Sequence, residues 1–358
     1  MIPEHVSSKL KWLSVVATLT VVWIHSNSMA FLPDLPDYCR FLSRFLMISL
    51  TSWAVPCFFM ISGFLLVYSY KDSYEDLLKK KVRSLLLPYF CWAAIGTILI
   101  IPLTLACNLL QGKTLWCNSF IEAGNYSVFG VIDKVFGIVN DGPIANGPLW
   151  YVRILLLLFL ISPVFILIYK SNKTPILEFS IAIFIILFVN SKSYMIWDFA
   201  LKPWAVTYFI LGMAAAKIDF WEKRIPGWLV AISGLFWLSL SAYDGFAFIS
   251  AVKNYAILMY PWKIFCAIIF WSGLYDMCTK QADRLVNFIP MTFFIYCLHQ
   301  PILAYFRSFA RFFFRNNSIF LFVFCIISFF GTLIICILAA KLLERLCPKL
   351  YNVLTGNR

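Results

Sequence analysis

The sequence predicts an all-α fold, a polytopic integral membrane protein of about ten transmembrane helices with both termini cytoplasmic. Three observations carry this. Hydrophobic residues make up 62% of the chain and charged residues only 13%, where an average soluble domain has roughly 25% charged. The mean hydropathy is +0.83. Apolar stretches long enough to cross a bilayer, about 20 residues each, follow one another almost without pause along the 358 residues. A single transmembrane domain over residues 1–358 fits this pattern better than a string of soluble domains.

The first span, about Leu10 to Phe31, contains the run WLSVVATLTVVWIHSNSMA. At 3.6 residues per turn, Lys11, Ser14, Thr18 and His25 fall on one narrow stripe of an otherwise oily rod. An ionisable side chain inside a span is costly and normally faces a bundle interior or a wet cavity. His25 is therefore the first candidate for chemistry, with a satisfied histidine at the headgroup boundary as the alternative. Lys9, Lys11 and the small residues Ser28 to Ala30 loosely imitate a secretory signal. The apolar run exceeds the about 7 to 15 residues of a usual signal core, so a retained span is expected.

The second span, about Phe45 to Tyr70, carries VPCFFMISGFLL. Pro56 and Gly63 weaken a strong helix and are tolerated where neighbouring helices satisfy the backbone; Ser62 and Gly63 permit close backbone approach. The basic stretch KKKVRSLLLPY follows. Lys79, Lys80, Lys81 and Arg83 mark an inner face, and Lys80 and Arg83, three apart on a helix, can grip one polyanion such as a phosphate-bearing nucleotide cofactor.

The third span runs from Ser84 to Leu110, and a polar, glycine-bearing segment from Gln111 to Gly147 separates it from the fourth, Pro148 to Tyr169. The fifth covers Ile176 to Asn190. The sixth, Pro203 to Lys217, is short enough to be broken or re-entrant. The seventh covers Ile225 to Tyr243, the eighth Tyr260 to Cys278, the ninth Val286 to Phe306 and the tenth Ile319 to Leu343. With the N-terminus inside, most lysines and arginines fall in cytoplasmic loops, while Arg40, Arg44, Lys263, Arg307, Arg311 and Arg315 are among those left outside. The net charge of +13 then follows from topology, and nucleic-acid binding is not expected without a basic soluble domain. The eleven cysteines show no metal-ligand spacing and read as small buried hydrophobes; no metal site is expected, and Cys107 with Cys117 is the one pairing worth testing. His25, fifteen residues beyond Leu10, lies about 22 Å along a core roughly 30 Å thick, in its outer half.

The His-bearing first span, FFMISGF, KKKVRSLLLPY, GPLWYVRILL and FFIYCLHQPIL occur in this order along essentially the whole chain. In this the sequence resembles the acyltransferase family 3 membrane proteins, which transfer an acyl group, commonly acetyl from acetyl-CoA, to hydroxyls of surface polysaccharides, lipopolysaccharide or other extracytoplasmic acceptors. The resemblance implies a multi-pass protein of the cytoplasmic (inner) membrane with membrane lipid, acyl-CoA and a glycan as partners. It implies His25 as the catalytic histidine and Lys80 and Arg83 as the basic pair at the cytoplasmic entrance for CoA. Phe58, Phe59, Ser62 and Gly63 match the second-span motif, Trp150 and Tyr151 the aromatic pair of the fourth span, and Tyr296 and His299 the pair of the ninth. Many members carry an arginine eleven residues before the histidine; here that position is Ser14, so that either Lys11 on the same stripe supplies the missing charge or the chain belongs to a branch with different acceptor handling or reduced activity. Lys11 and Ser14 are counted with Lys80 and Arg83 on the path of the acyl-CoA.

The chemistry agrees with the resemblance. A sugar hydroxyl is a poor nucleophile, and imidazole can take its proton as it attacks a thioester. Arg153, five residues into the fourth span, either snorkels or orients acceptor or thioester oxygen. His299 shares a face with Tyr296 and Thr292 and serves either the same cavity or helix packing. Asp133, Asp141 and Asp198 are candidates to orient His25 or bind sugar, and Trp150, Trp197, Trp204 and Trp262 read as interface-belt residues. The rival class is a transporter or flippase of a glycan or its precursor, and a third is a silent scaffold on the same frame.

Overall fold

The computed structural model describes residues 2–29, 35–70, 73–110, 128–138, 142–189, 201–250, 256–286, 289–314 and 317–357. Among these, every regular element is helical. The helices are α1 (Glu4–His25), α2 (Asp37–Ser69), α3 (Tyr74–Leu110), α4 (Val128–Phe136), α5 (Trp150–Leu160), α6 (Ser162–Ser171), α7 (Ile176–Phe184), α8 (Pro203–Lys217), α9 (Gly227–Ile249), α10 (Ala256–Met277), α11 (Thr279–Val286), α12 (Ile289–Phe314), α13 (Ser318–Leu346) and α14 (Pro348–Thr355). Helix ends follow local chemistry. Ser73 and Asn317 accept the backbone N–H groups of Asp76 and Phe320 through their side chains, the usual way of satisfying an orphan donor at a helix start. Pro203 and Pro348 occupy first turns, where a missing N–H costs nothing. Gly356 ends α14 with φ of +68°, a conformation open to glycine.

The described residues of each of the ten stretches expected to span are mainly helical. By length and apolarity, four described helices are able to cross a membrane, α2, α3, α9 and α13, and up to six spans result if each bent helix pair is one span. The sixth stretch, short enough to be broken or re-entrant, is the unbroken α8; a bend falls in the fourth, where α5 and α6 meet at 59°, with Pro163 in the first turn of α6. The ninth stretch reaches Phe314, so Arg307 and Arg311, expected in an outer loop, belong to α12. Arg44 and Lys263 are likewise helix residues, on α2 and α10.

Helix α1 lies at the centre, packed against α2, α10, α11, α12 and α13, with Val6, Leu13, Ala17 and Val22 fully buried. Helices α2 and α8 pack backbone against backbone. A Cβ on Gly63 would lie 1.9 Å from the Phe209 carbonyl oxygen, and one on Gly212 would lie 2.0 Å from that of Met60. The two glycines thus let the backbones meet reciprocally, as small residues do between membrane helices.

Two buried ion clusters tie the bundle. At the start of α1, Lys9 (1% exposed) pairs with Asp276 of α10 at 2.8 Å and donates to the Lys223 carbonyl, while the Ile225 N–H donates to the same carboxylate. Elsewhere Asp244 of α9 bridges Arg44 at 3.0 Å and Lys263 at 3.1 Å, and Lys263 also donates to Ser49. Charges buried in this way persist only when paired. Lys217 and Glu178 form a third buried pair, between α8 and α7.

Candidate active site

His25 is the last residue of α1, and its ring is half-buried. Its neighbour is His299 of α12, fully buried, with ring centroids 5.2 Å apart. The Nδ1 of His299 lies 2.6 Å from the Tyr296 carbonyl oxygen. A carbonyl only accepts, so in the neutral ring Nδ1 carries the proton and Nε2 holds a lone pair. That Nε2 is buried with no protein partner.

From His299 the aromatic side chains run on without a break. Tyr296 lies 5.9 Å from His299 and donates its hydroxyl to the Pro148 carbonyl. Tyr151 lies 5.9 Å from Tyr296, Phe58 5.7 Å and Phe59 4.8 Å from Tyr151, and Trp204 5.7 Å from both Phe59 and Trp150. The Ser62 hydroxyl is 3.5 Å from that of Tyr151. Motif residues scattered over four stretches of sequence therefore meet in one cluster with an imidazole pair at one end. Gly63 stands apart from them in role, since its contact is the α8 backbone.

The remaining candidates lie elsewhere. Ser14 donates its hydroxyl to the Leu10 carbonyl within α1, and Lys11 is exposed. Lys80 and Arg83 are exposed near the start of α3; beside them Lys79 pairs with Glu75 and Lys81 sits 3.8 Å over the Phe159 ring. Arg153 donates to the Gly137 carbonyl at 3.1 Å, and Tyr89 donates its hydroxyl to the Phe136 carbonyl at 2.6 Å. Arg153 thus anchors α4 and the turn after it to α5. Trp262 is 68% exposed, as an interface-belt residue would be. Asp141, Asp198, Trp197 and the Cys107–Cys117 pairing lie outside the described residues.

Two residues of the site escape sequence reasoning. Arg307 is half-buried on α12, eight residues beyond His299; ending the ninth span at Phe306 hid it. Asn146 is fully buried just before α5 and donates its amide to the Cys297 carbonyl at 2.8 Å. Pro301, four residues after Cys297, has no N–H to give that carbonyl, and this helical spacing was the available signal.

A bundle of long apolar helices around an inward-facing imidazole pair defines a multi-pass membrane protein with a site suited to acid–base chemistry. The acyltransferase domain model of acyltransferase family 3 matches residues 8–341, and the chain belongs to that family. It is also similar to the succinoglycan biosynthesis protein ExoH of Rhizobium meliloti (strain 1021), 22% identical over 373 residues that cover 99% of this chain and 93% of ExoH. No solved structure matches the chain significantly.

Proposed function

We propose that this membrane acyltransferase moves an acyl group, acetyl in the simplest case, from cytoplasmic acyl-CoA to a hydroxyl of an extracytoplasmic polysaccharide. The observation that carries this is the meeting of His25 with His299 at the end of the aromatic cluster that holds the family motifs. The similarity to a succinoglycan biosynthesis protein supports a polysaccharide acceptor. Ten helical stretches support ten spans, and the excess of lysine and arginine on the side of the N-terminus supports cytoplasmic termini in the inner membrane.

In this reading Lys80 and Arg83 hold the phosphates of CoA at the cytoplasmic face. His25 takes the proton of the sugar hydroxyl as its oxygen attacks the thioester carbonyl. The tetrahedral oxyanion collapses, the C–S bond breaks, and the CoA thiolate recovers the proton from His25. His299 positions the His25 ring, and Arg307 supplies positive charge toward the oxyanion, in place of the cation that Ser14 cannot provide. Transfer is direct, without an acyl-enzyme.

Mass spectrometry of surface glycans from cells with the wild-type protein, with a His25→Ala variant and with no protein tests the reading. Acylation present only with the wild type is expected. The same acyl pattern in all three would overturn it.

A further inference from the structure

Asn146 has a polar atom that its structural role leaves over. Its Nδ2 donates to two carbonyls, that of Cys297 at 2.8 Å and that of Trp92 at 3.5 Å. Both partners are pure acceptors, so the amide orientation is fixed and Oδ1 points away from them. Oδ1 is buried and has no protein partner, in a residue that is fully buried. An unmet acceptor in such a place costs free energy unless a donor reaches it. The next residue is Gly147, and a Cβ built on it would meet no atom within 4 Å.

The location says which donor. Asn146 rests on Trp92 and Gly96 of α3, and Arg83 lies nine residues before Trp92, about 14 Å down the same helix. On its other side Asn146 holds Cys297, two residues before His299. It therefore stands between the basic surface and the imidazole pair. On the acyl-CoA reading above, that interval is crossed by the pantetheine arm, whose hydrogen-bond donors there are amide N–H groups.

We propose that Asn146 Oδ1 accepts a hydrogen bond from an amide N–H of the pantetheine arm, making Asn146 a donor-substrate binding residue. Its clamp on Cys297 can be separated from this role. Pro301→Ala restores to α12 a backbone N–H four residues after Cys297, so in that background the Cys297 carbonyl has a helical donor besides the Asn146 amide.

The test uses the full-length protein in liposomes with acceptor glycan, and acetyl-CoA or acetyl-CoA analogues in which one or the other pantetheine amide nitrogen is replaced by CH2. Release of the thiol gives kcat/KM. The wild type and Pro301→Ala should each lose roughly tenfold with one of the two analogues, the loss expected for an unmet buried acceptor. Asn146→Ala with Pro301→Ala should discriminate less than twofold, and Asn146→Asp with Pro301→Ala, which keeps an oxygen acceptor, should retain most of the discrimination. If Asn146→Ala with Pro301→Ala discriminates as strongly as its parent, or if the wild type does not discriminate at all, the inference is wrong. A wild type that releases no CoA from acetyl-CoA refutes the donor assignment itself, which is a different failure.

Discussion

The imidazole of His299, held by the Tyr296 carbonyl through Nδ1, stands 5.2 Å from that of His25 with its Nε2 free of protein partners. The ring closing α1 thus lies against a ring in the middle of α12.

His299→Leu removes both the held ring and its lone pair. Transfer is expected to fall about 10- to 100-fold in kcat with little change in KM for the acyl donor, because a positioning group acts on the reacting geometry. His299→Asn, whose side-chain amide can replace the Nδ1–H bond to Tyr296, should keep the thermal stability of the wild type while remaining slow. Equal kcat in all three proteins would remove His299 from the mechanism.

Arg307 is expected to stabilise developing negative charge. Arg307→Gln should lower kcat about 100-fold, in the range seen when one oxyanion donor is deleted, and Arg307→Lys should recover part of the loss. If Arg307→Gln is as active as the wild type, another group supplies the positive charge.

Gly63→Ala and Gly212→Ala should each destabilise the α2–α8 contact, since the new Cβ would fall about 2 Å from a backbone oxygen that cannot step aside. Overpacking of this kind costs about 1–3 kcal/mol or more. Gly227→Ala, where no atom lies within 4 Å of the new Cβ, should be neutral. Thermal unfolding in detergent compares the three, and equal melting temperatures would contradict the packing.

Lys9→Met strands the Asp276 carboxylate, whose side chain is 9% exposed. Breaking a buried pair from one side costs about 3–5 kcal/mol, so a marked loss of stability is expected. Adding Asp276→Asn should recover much of it. No rescue in the double variant would show that Lys9 acts through something other than this ion pair.

Much of this was legible in the sequence. Helix positions followed from apolar runs, and His25, His299, Tyr296, Tyr151 and the Phe58–Phe59 pair were each visible as polar or aromatic interruptions of a span or as motif members. Their convergence was not, because it depends on which helices become neighbours, and α1 against α12 joins residues 274 positions apart in a chain with no detectable repeat to guide pairing. Charges were misplaced for a related reason. Lys9, Arg44 and Arg307 look like loop residues when hydropathy alone sets the boundaries, yet the first two lie in ion pairs within the bundle and the third is on α12, eight residues beyond His299. Lys11, which shares the His25 stripe, is exposed, whereas Lys9 is not; a helical wheel ranks the two without knowing where Asp276 lies.

The most direct measurement is CoA release from acetyl-CoA by the purified protein in liposomes supplied with acceptor glycan, comparing wild type with His25→Ala at equal folded amounts. A general base contributes about 10²–10⁴-fold. The expected result is acceptor-dependent release by the wild type and at least a hundredfold loss in the variant, with unchanged thermal unfolding. Release at the wild-type rate by His25→Ala would contradict the assignment of the chemistry to this ring.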